Sequence, residues 1–333
     1  MKNANSILSE YRNKRRMLKS IAKDYLEHPE RFTRLFSVRI NGKYRDLVTY
    51  TSDENGNALR TLHEYYAAEL SKWYKSAVSS FAYKKGVSYI DCINQHMHGQ
   101  VFFKTDIHSY FNSITADNLI KKLETITKFQ KSRAFFTLIT KACFYQERLP
   151  LGFVSSPVIS DFYLSDFDKK YQKNKKVVYT RYADDFIVSS SNPDNMVELE
   201  KIRNGMEKDL AGLDLQLNCK KTYFRQLNVP GDAIHVLGVN IVKTVSETNR
   251  ITISDSYIRK VCMEFGDWVH TEFPEENEDR GFLESVLGKI EFVRHVSEKS
   301  YGKLIRMIEV KEGYKGSITA QDLCQYKAEK SSK

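Results

Sequence analysis

Chemistry enters this sequence at a pair of adjacent carboxylates. Asp184 and Asp185 lie between Val177-Val178-Tyr179-Thr180-Arg181-Tyr182-Ala183 and Phe186-Ile187-Val188, runs rich in β-branched and aromatic residues that read as strands. A tight hairpin normally takes Gly or Asn at its turn, and neither is there. Neighbouring Asp residues at a half-buried turn repel each other and lose hydration, so a merely solvated acidic turn would suit polar flanks, which these are not. Alone, the stretch leaves an acidic turn and a metal site equally open. A second apolar run, Val101-Phe102-Phe103-Lys104-Thr105-Asp106-Ile107, ends in a third carboxylate. If its strand neighbours the hairpin, Asp106, Asp184 and Asp185 converge. Three hard oxygen donors on rigid strands suit Mg2+, which completes an octahedron with water and phosphate oxygens. Two such ions could activate a hydroxyl and stabilise a leaving pyrophosphate during in-line displacement.

These residues need elements to position them. Residues 6–27 read as a basic helix, with Leu18, Ile21, Ala22 and Tyr25 near a helical period amid Arg12, Lys14, Arg15, Arg16, Lys19 and Lys23; a docking helix with a solvated face and an RNA-backbone contact both fit. Residues 36–50 alternate on either side of Asn41-Gly42, the strongest short turn signal present, and set Lys43 and Arg45 on one side of the second arm. Residues 52–57 read as loop and 59–84 as helix. A helix begins near Thr115, with Asn118 completing a weak cap signal, and another enters at Ser156-Pro157, where proline is tolerated. Helix is expected over 193–213, strands over 215–224 and 233–242, only helix from Ser254 onward, and disorder over 327–333.

Composition sets the wider bounds. At 333 residues and 41% hydrophobic, the chain can build a large core or about two domains. It has no apolar run of about 18 residues and no secretory leader, so a cytoplasmic protein that does not engage a membrane is expected. The cysteines Cys92, Cys143, Cys219, Cys262 and Cys324 form no C-x-x-C pair, which indicates neither structural zinc nor a disulfide framework. His96 and His98 lack a third ligand nearby, so hydrogen bonding or RNA contact suits them better than metal. The 52 Lys and Arg outnumber 42 Asp and Glu, for a formal net charge of +10. That excess suits a polyanionic partner, although it also serves solubility.

Five motifs in order carry a family resemblance over about residues 36–310. Thr105-Asp106-Ile107-His108-Ser109-Tyr110-Phe111, Leu149-Pro150-Leu151-Gly152-Phe153-Val154-Ser155-Ser156-Pro157, Tyr182-Ala183-Asp184-Asp185, Leu215-Gln216-Leu217-Asn218-Cys219-Lys220-Lys221-Thr222 and His235-Val236-Leu237-Gly238-Val239-Asn240 resemble the palm of a reverse transcriptase. The resemblance implies an α+β right-hand polymerase. Its basic helical extension would be 1–30, its fingers 31–90 and 115–148, its palm (an antiparallel sheet with helices on one face) 91–114 and 149–248, its helical thumb 249–318, and its flexible tail 319–333. It assigns two Mg2+ ions, with Mn2+ as an alternative, to Asp106, Asp184, Asp185 and the Ile107 carbonyl. Lys43 and Arg45 fall where the family clamps the incoming triphosphate, with Arg60 a further candidate. Lys221, or its neighbour Lys220, falls where a lysine protonates the leaving pyrophosphate. Phe111 matches the sugar gate, with Tyr110 the rival, and Gly152 and Ser156 match the contact with template and nucleotide. The strand over 236–239 resembles the primer grip.

Some residues depart from that pattern. Leu151 replaces a common Gln. Asn94-Gln95-His96-Met97-His98 and Val236-Leu237-Gly238 each sit one residue away from retron motifs, while the wording of 149–152 and 162–168 is similar to abortive-infection and other defence-associated enzymes. The chain closes soon after the thumb-like region, leaving no room for maturase, endonuclease or RNase H domains. The expected activity is RNA-directed DNA synthesis from dNTPs on a dedicated non-coding RNA in bacterial antiphage defence. A retron-type enzyme making RNA-linked multicopy single-stranded DNA, template-independent or protein-primed synthesis, RNA-dependent RNA synthesis and an inactive RNA-binding scaffold are the competing readings. An effector protein or a second copy of the chain as partner is left open.

Overall fold

The computed structural model describes residues 4–40, 43–272 and 275–331, and the chain forms two compact units. One takes residues 1–92, 102–190 and 194–224, and the other 93–101, 191–193 and 225–333. Residues 225–248, expected with the palm, thus group with the C-terminal helices.

The first unit opens with α1 (Ala4–Glu27), which buries Leu18, Ala22 and Tyr25. Lys14 and Arg15 of that helix lie over Tyr65 and Phe135, 5.1 and 4.1 Å from the ring centroids. Strands β1 (Thr33–Ile40) and β2 (Lys43–Tyr50) pair antiparallel, with Val38 opposite Arg45 and Ile40 opposite Lys43. The expected Asn41-Gly42 turn lies outside the described residues. Helix α2 (Glu54–Ser71) starts earlier and stops sooner than the periodicity suggested. Asp53 accepts from the Gly56 N–H at 3.0 Å, and this cap turns the expected loop into a first helical turn. Just past its end, Trp73 packs edge-on against Phe136 at 4.5 Å and Tyr74 donates to Asp161 at 3.0 Å.

After the short helix α3 (Tyr89–Asn94) comes β3 (Val101–Asp106), followed by α4 (Tyr110–Ser113), α5 (Ala116–Leu123), α6 (Thr127–Gln130) and α7 (Arg133–Lys141). Thr115 caps α5 by accepting from the Asn118 N–H. Helix α8 (Ser156–Tyr171) is buried on most sides, and Asp161 and Asp168 go inside with it. Strands β4 (Val178–Tyr182) and β5 (Asp185–Ser190) form the anticipated hairpin, Tyr182 facing Asp185. Helix α9 (Met196–Ala211) and β6 (Tyr223–Gln226) follow, and the sheet order is β4-β5-β3-β6. β3 is therefore inserted beside the hairpin, the adjacency that a meeting of the three aspartates requires.

The second unit contains a three-stranded antiparallel sheet of β7 (Ala233–Val236), β8 (Val239–Val242) and β9 (Arg250–Thr252). Leu237 and Gly238, at φ 47° and 87°, turn β7 into β8, so the segment read as one strand is the tip of a hairpin. Then come α10 (Asp255–His270), α11 (Glu276–Val296), α12 (Glu298–Glu312) and α13 (Ala320–Ser331). Helix α13 replaces the expected flexible tail. It buries Leu323, and Lys327 bonds Asp279 at 2.7 Å while lying over Trp268. A polar composition hid a helix held by three specific contacts.

Two histidines are wholly buried, His63 in the first unit and His96 in the second. His63 Nε2–H donates to the Ala142 carbonyl at 2.8 Å, which leaves Nδ1 to accept from the Tyr50 hydroxyl at 2.8 Å. Burial pushes His63 down to about 4 and His96 down to about 3. Both are neutral in the folded chain, whereas the unfolded chain takes up their protons near 6.5. Stability is therefore complete above pH 6.5 and falls as pH drops toward 4, by on the order of 2 kcal/mol per histidine at pH 5. Thermal melts across pH 8 to 5 should show that decline, and His63→Gln should flatten part of it.

Candidate active site

Asp106, at the end of β3, is 3% exposed. On one flank the Asn218 N–H donates to its carbonyl at 2.8 Å, and the His108 N–H donates to the Gln216 carbonyl at 2.8 Å. On the other, the Ile107 N–H donates to the Asp184 carbonyl at 3.1 Å. Backbone pairing thus places Asp106 between residues 215–218 and the hairpin. Asp184 occupies the two-residue turn after Ala183, whose φ is 55°, and Asp185 begins β5.

The electrostatics are those of crowded carboxylates. Burial, with the charges of Asp185 and Asp106, pushes Asp184 up to about 6. Burial also raises Asp185, against the opposing charge of Lys104. The Lys104 Nζ stands 3.7 Å from Asp185 Oδ1, and Lys221 Nζ bonds Asp106 Oδ2. That bond holds the Lys221 ammonium above its usual range. Lys220 and Lys221 are both exposed, and Lys221 is the one whose Nζ bonds a carboxylate. The other oxygen of Asp106, Oδ1, is buried and accepts no hydrogen bond. An orphaned carboxylate oxygen beside two carboxylates that resist ionisation fits a divalent cation, and all three donors are hard. Among the described residues no three His, Cys, Asp or Glu side chains close on one point; Lys221 and Lys104 each hold one carboxylate as the side chains stand.

The remaining candidates separate by exposure. Tyr110 is buried and donates to the Ser160 carbonyl at 2.6 Å, whereas Phe111 stays half-buried, edge-on to Tyr110 at 5.6 Å. Of the two rings, Phe111 is the one partly open to a ligand. Arg45 is exposed on β2, and the Lys43 side chain lies outside the described residues. Arg60 is exposed on α2 and pairs with Glu64 at 3.0 Å. Gly152 has φ 110°, and a Cβ there would stand 2.3 Å from the Val48 carbonyl oxygen. Its missing side chain therefore admits the backbone of β2. Ser156, expected to contact template and nucleotide, is 1% exposed, and its hydroxyl is buried with no hydrogen-bond partner at the start of α8.

Two features went unread in the sequence. Lys104 lies two residues before Asp106, on the same face of the strand, and that spacing was a usable signal. Arg181 is 0% exposed. Its Nε donates to Asp168 Oδ1 at 2.9 Å, and its Nη2 to Asp168 Oδ2 at 2.6 Å and Asp161 Oδ1 at 2.8 Å. Its Nη1 donates to the Ala183 carbonyl at 3.0 Å. A cation inside an apolar run, and two aspartates seven residues apart on one helix, were the signs available.

A sheet carrying three aspartates at a strand end and a hairpin turn is the arrangement that a nucleotidyl-transferring palm requires. The family described as reverse transcriptase (RNA-dependent DNA polymerase) matches residues 41–241, more than half of the chain. The chain belongs to that family and is an RNA-directed DNA polymerase of the divalent-metal-dependent kind. Within it, the affinities are with bacterial retron enzymes. The chain is 23% identical to the retron Ec86 reverse transcriptase of Escherichia coli over 278 residues, covering 83% of this chain and 80% of that protein. It is 26% identical to the retron Ec83 enzyme of Escherichia coli over 242 residues, covering 67% and 73%. The Candida albicans telomerase, solved with a fragment of telomeric RNA, shares the fold at 13% identity and a TM-score of 0.51, over 89% of this chain and 63% of the telomerase.

Because the folded chain resists ionising Asp184, Asp184→Asn should stabilise the metal-free protein at pH 8 by on the order of 2 kcal/mol. Melting curves in EDTA would read this. Added Mg2+ should raise the midpoint of the native protein and leave that of the variant nearly unmoved.

Proposed function

We propose that this polymerase copies a dedicated RNA of its bacterial host into DNA, as part of antiphage defence, and that it uses two Mg2+ ions. The observation that carries the site assignment is the buried, unpartnered Oδ1 of Asp106 beside the hairpin carboxylates. Asp106, Asp184, Asp185 and the Ile107 carbonyl would hold the ions. When bound, these supply charge neutralisation at the triphosphate and a more acidic primer hydroxyl. Lys221 holds a proton at Nζ, beside Asp106, that the leaving pyrophosphate can receive. Lys43 and Arg45 on β2 meet the triphosphate as charges, with Arg60 available once it exchanges from Glu64. Phe111 offers a ring with no hydroxyl, which excludes a 2′-OH by contact and selects dNTPs.

The RNA reading draws support from α1. Arg12, Arg16, Lys19 and Lys23 are exposed, and their spacing of four, three and four residues aligns them in a row about 17 Å long. Such a row follows a phosphate backbone. The defence reading rests on the resemblance of residues 149–152 and 162–168 to abortive-infection enzymes and on the retron relatives.

Purified protein supplied with an RNA template, DNA primer, Mg2+ and dNTPs should incorporate nucleotide, and Asp184→Ala with Asp185→Ala should abolish it. In the same assay Phe111→Ala should raise rNTP use relative to dNTP by tenfold or more; an unchanged ratio would remove Phe111 as the gate. Changing Arg12, Arg16, Lys19 and Lys23 together to Gln should lower the slope of log affinity against log salt for RNA by about 3. Sequencing the RNA that copurifies, and the 5′ end of the DNA product, would separate a dedicated template from RNA-linked or protein-primed synthesis.

A further inference from the structure

We infer that Arg181 is a positioning residue for polymerisation: its guanidinium, locked by Asp168 and Asp161, holds the Ala183 carbonyl and with it the left-handed turn that presents Asp184 and Asp185. The inference rests on the reading of those two aspartates as catalytic. A two-residue hairpin turn wants positive φ, which Asn-Gly or Gly adopts readily and a residue with a Cβ does not. Ala183 adopts 55° nevertheless, so something outside the turn must favour that conformation.

The structure supplies one such contact, Arg181 Nη1 to the Ala183 oxygen at 3.0 Å. Its direction is not free. The guanidinium is planar, and its Nε and Nη2 donors are taken by Asp168, by Asp161 and by the Ser80 hydroxyl at 3.1 Å. Those acceptors belong to α8 and to residue 80, none of them to the hairpin. The Arg181 backbone is held as well: its N–H donates to the Ser79 carbonyl at 2.8 Å, and its carbonyl accepts from the Phe81 N–H at 2.9 Å. The fork is therefore a rigid arm from the buried helix to the turn.

A bland reading competes, in which the cluster only staples α8 to β4. The two separate because cluster members differ in what they touch. Tyr179 donates to Asp168 Oδ1 at 2.7 Å and is equally buried on β4, but its hydroxyl does not contact the turn. Among the described residues, Arg181 is the cluster member that bonds the Ala183 carbonyl.

The test uses the full chain, with Mn2+ alone as the binding probe, amide hydrogen exchange over residues 182–186, and steady-state incorporation on an RNA template with a DNA primer. Arg181→Lys keeps the charge but cannot span both carboxylates and the turn. It should raise the Mn2+ midpoint about tenfold, speed exchange at the turn, and lower kcat about a hundredfold, the cost of displacing catalytic groups by about 1 Å, with KM for dNTP within about threefold. Ala183→Gly in that background should regain at least tenfold of the lost kcat without restoring Tm, because Gly enters the left-handed conformation without the penalty a Cβ imposes. Tyr179→Phe should lower Tm yet leave the Mn2+ midpoint and kcat within about twofold, and so should Ala183→Gly in the native chain. A folded Arg181→Lys protein with native Mn2+ binding and kcat overturns the inference. So does a Tyr179→Phe protein, or an Ala183→Gly protein, that loses tenfold or more in kcat or Mn2+ binding. If Arg181→Lys does not fold, these last two variants decide. Mn2+ binding and exchange are read without polymerisation, so they still report on the clamp if the catalytic reading itself fails.

Discussion

The buried ion cluster of Arg181, Asp168 and Asp161 is the interaction on which the first unit depends. Two carboxylates and one guanidinium lie inside the protein, and burial of such ions costs several kcal/mol each unless every donor and acceptor is matched. Here matching is dense. Burial raises Asp161, but the Arg181 charge and the hydroxyls of Ser80 and Tyr74 outweigh it and keep the carboxyl below its usual range. Tyr179 and the bidentate guanidinium satisfy Asp168. Removing one ion from a buried cluster of this kind typically costs about 3–5 kcal/mol, so helix α8, strand β4 and the segment near residue 80 stand or fall together. An alanine in the left-handed region costs roughly 1–2 kcal/mol, a penalty that the cluster can offset through its contact with the turn.

The candidate site draws on that rigidity. Asp184 resists ionisation because it is half-buried beside Asp185 and Asp106, and left to itself such a turn would relax by protonating or by moving apart. The backbone prevents the second: Ile107 bonds the Asp184 carbonyl, and Asn218 bonds the carbonyl of Asp106. Lys104 and Lys221 compensate part of the charge, and one oxygen of Asp106 has no compensation at all. The arrangement is poor for stability and good for binding a cation, the trade expected where function requires preorganised charge.

A second set of contacts orders the loop before α8. Val48 donates to the Leu151 carbonyl at 2.9 Å, and Val154 donates to the Tyr50 hydroxyl at 3.0 Å, which itself donates to His63. Phe153 stacks on Tyr50 at 5.2 Å. The glycine at 152 is thus a condition for joining the loop to β2, and β2 is the strand that carries Arg45.

Much of the protein was legible without coordinates. The hairpin around Asp184 and Asp185, the strand ending at Asp106, the paired arms about residues 41–42, the caps at Thr115 and the helix entered at Ser156-Pro157 all follow from local chemistry: periodicity, turn preference and hydrogen bonds between near neighbours in the chain. Ordered motifs were enough to name the polymerase family. What tertiary structure alone decided depends on partners far away in sequence. Burial of Ser156 and Tyr110, the packing of Trp73 and Tyr74 just past α2, the packing of α13 against Trp268, and the Val48 carbonyl that forbids a side chain at residue 152 are set by groups dozens of residues distant. The same holds for Arg181, which reads in sequence as one more basic residue and becomes a clamp only because α8 buries two carboxylates against it. Desolvation and ion pairing are properties of the neighbourhood, and the chain order does not list the neighbours.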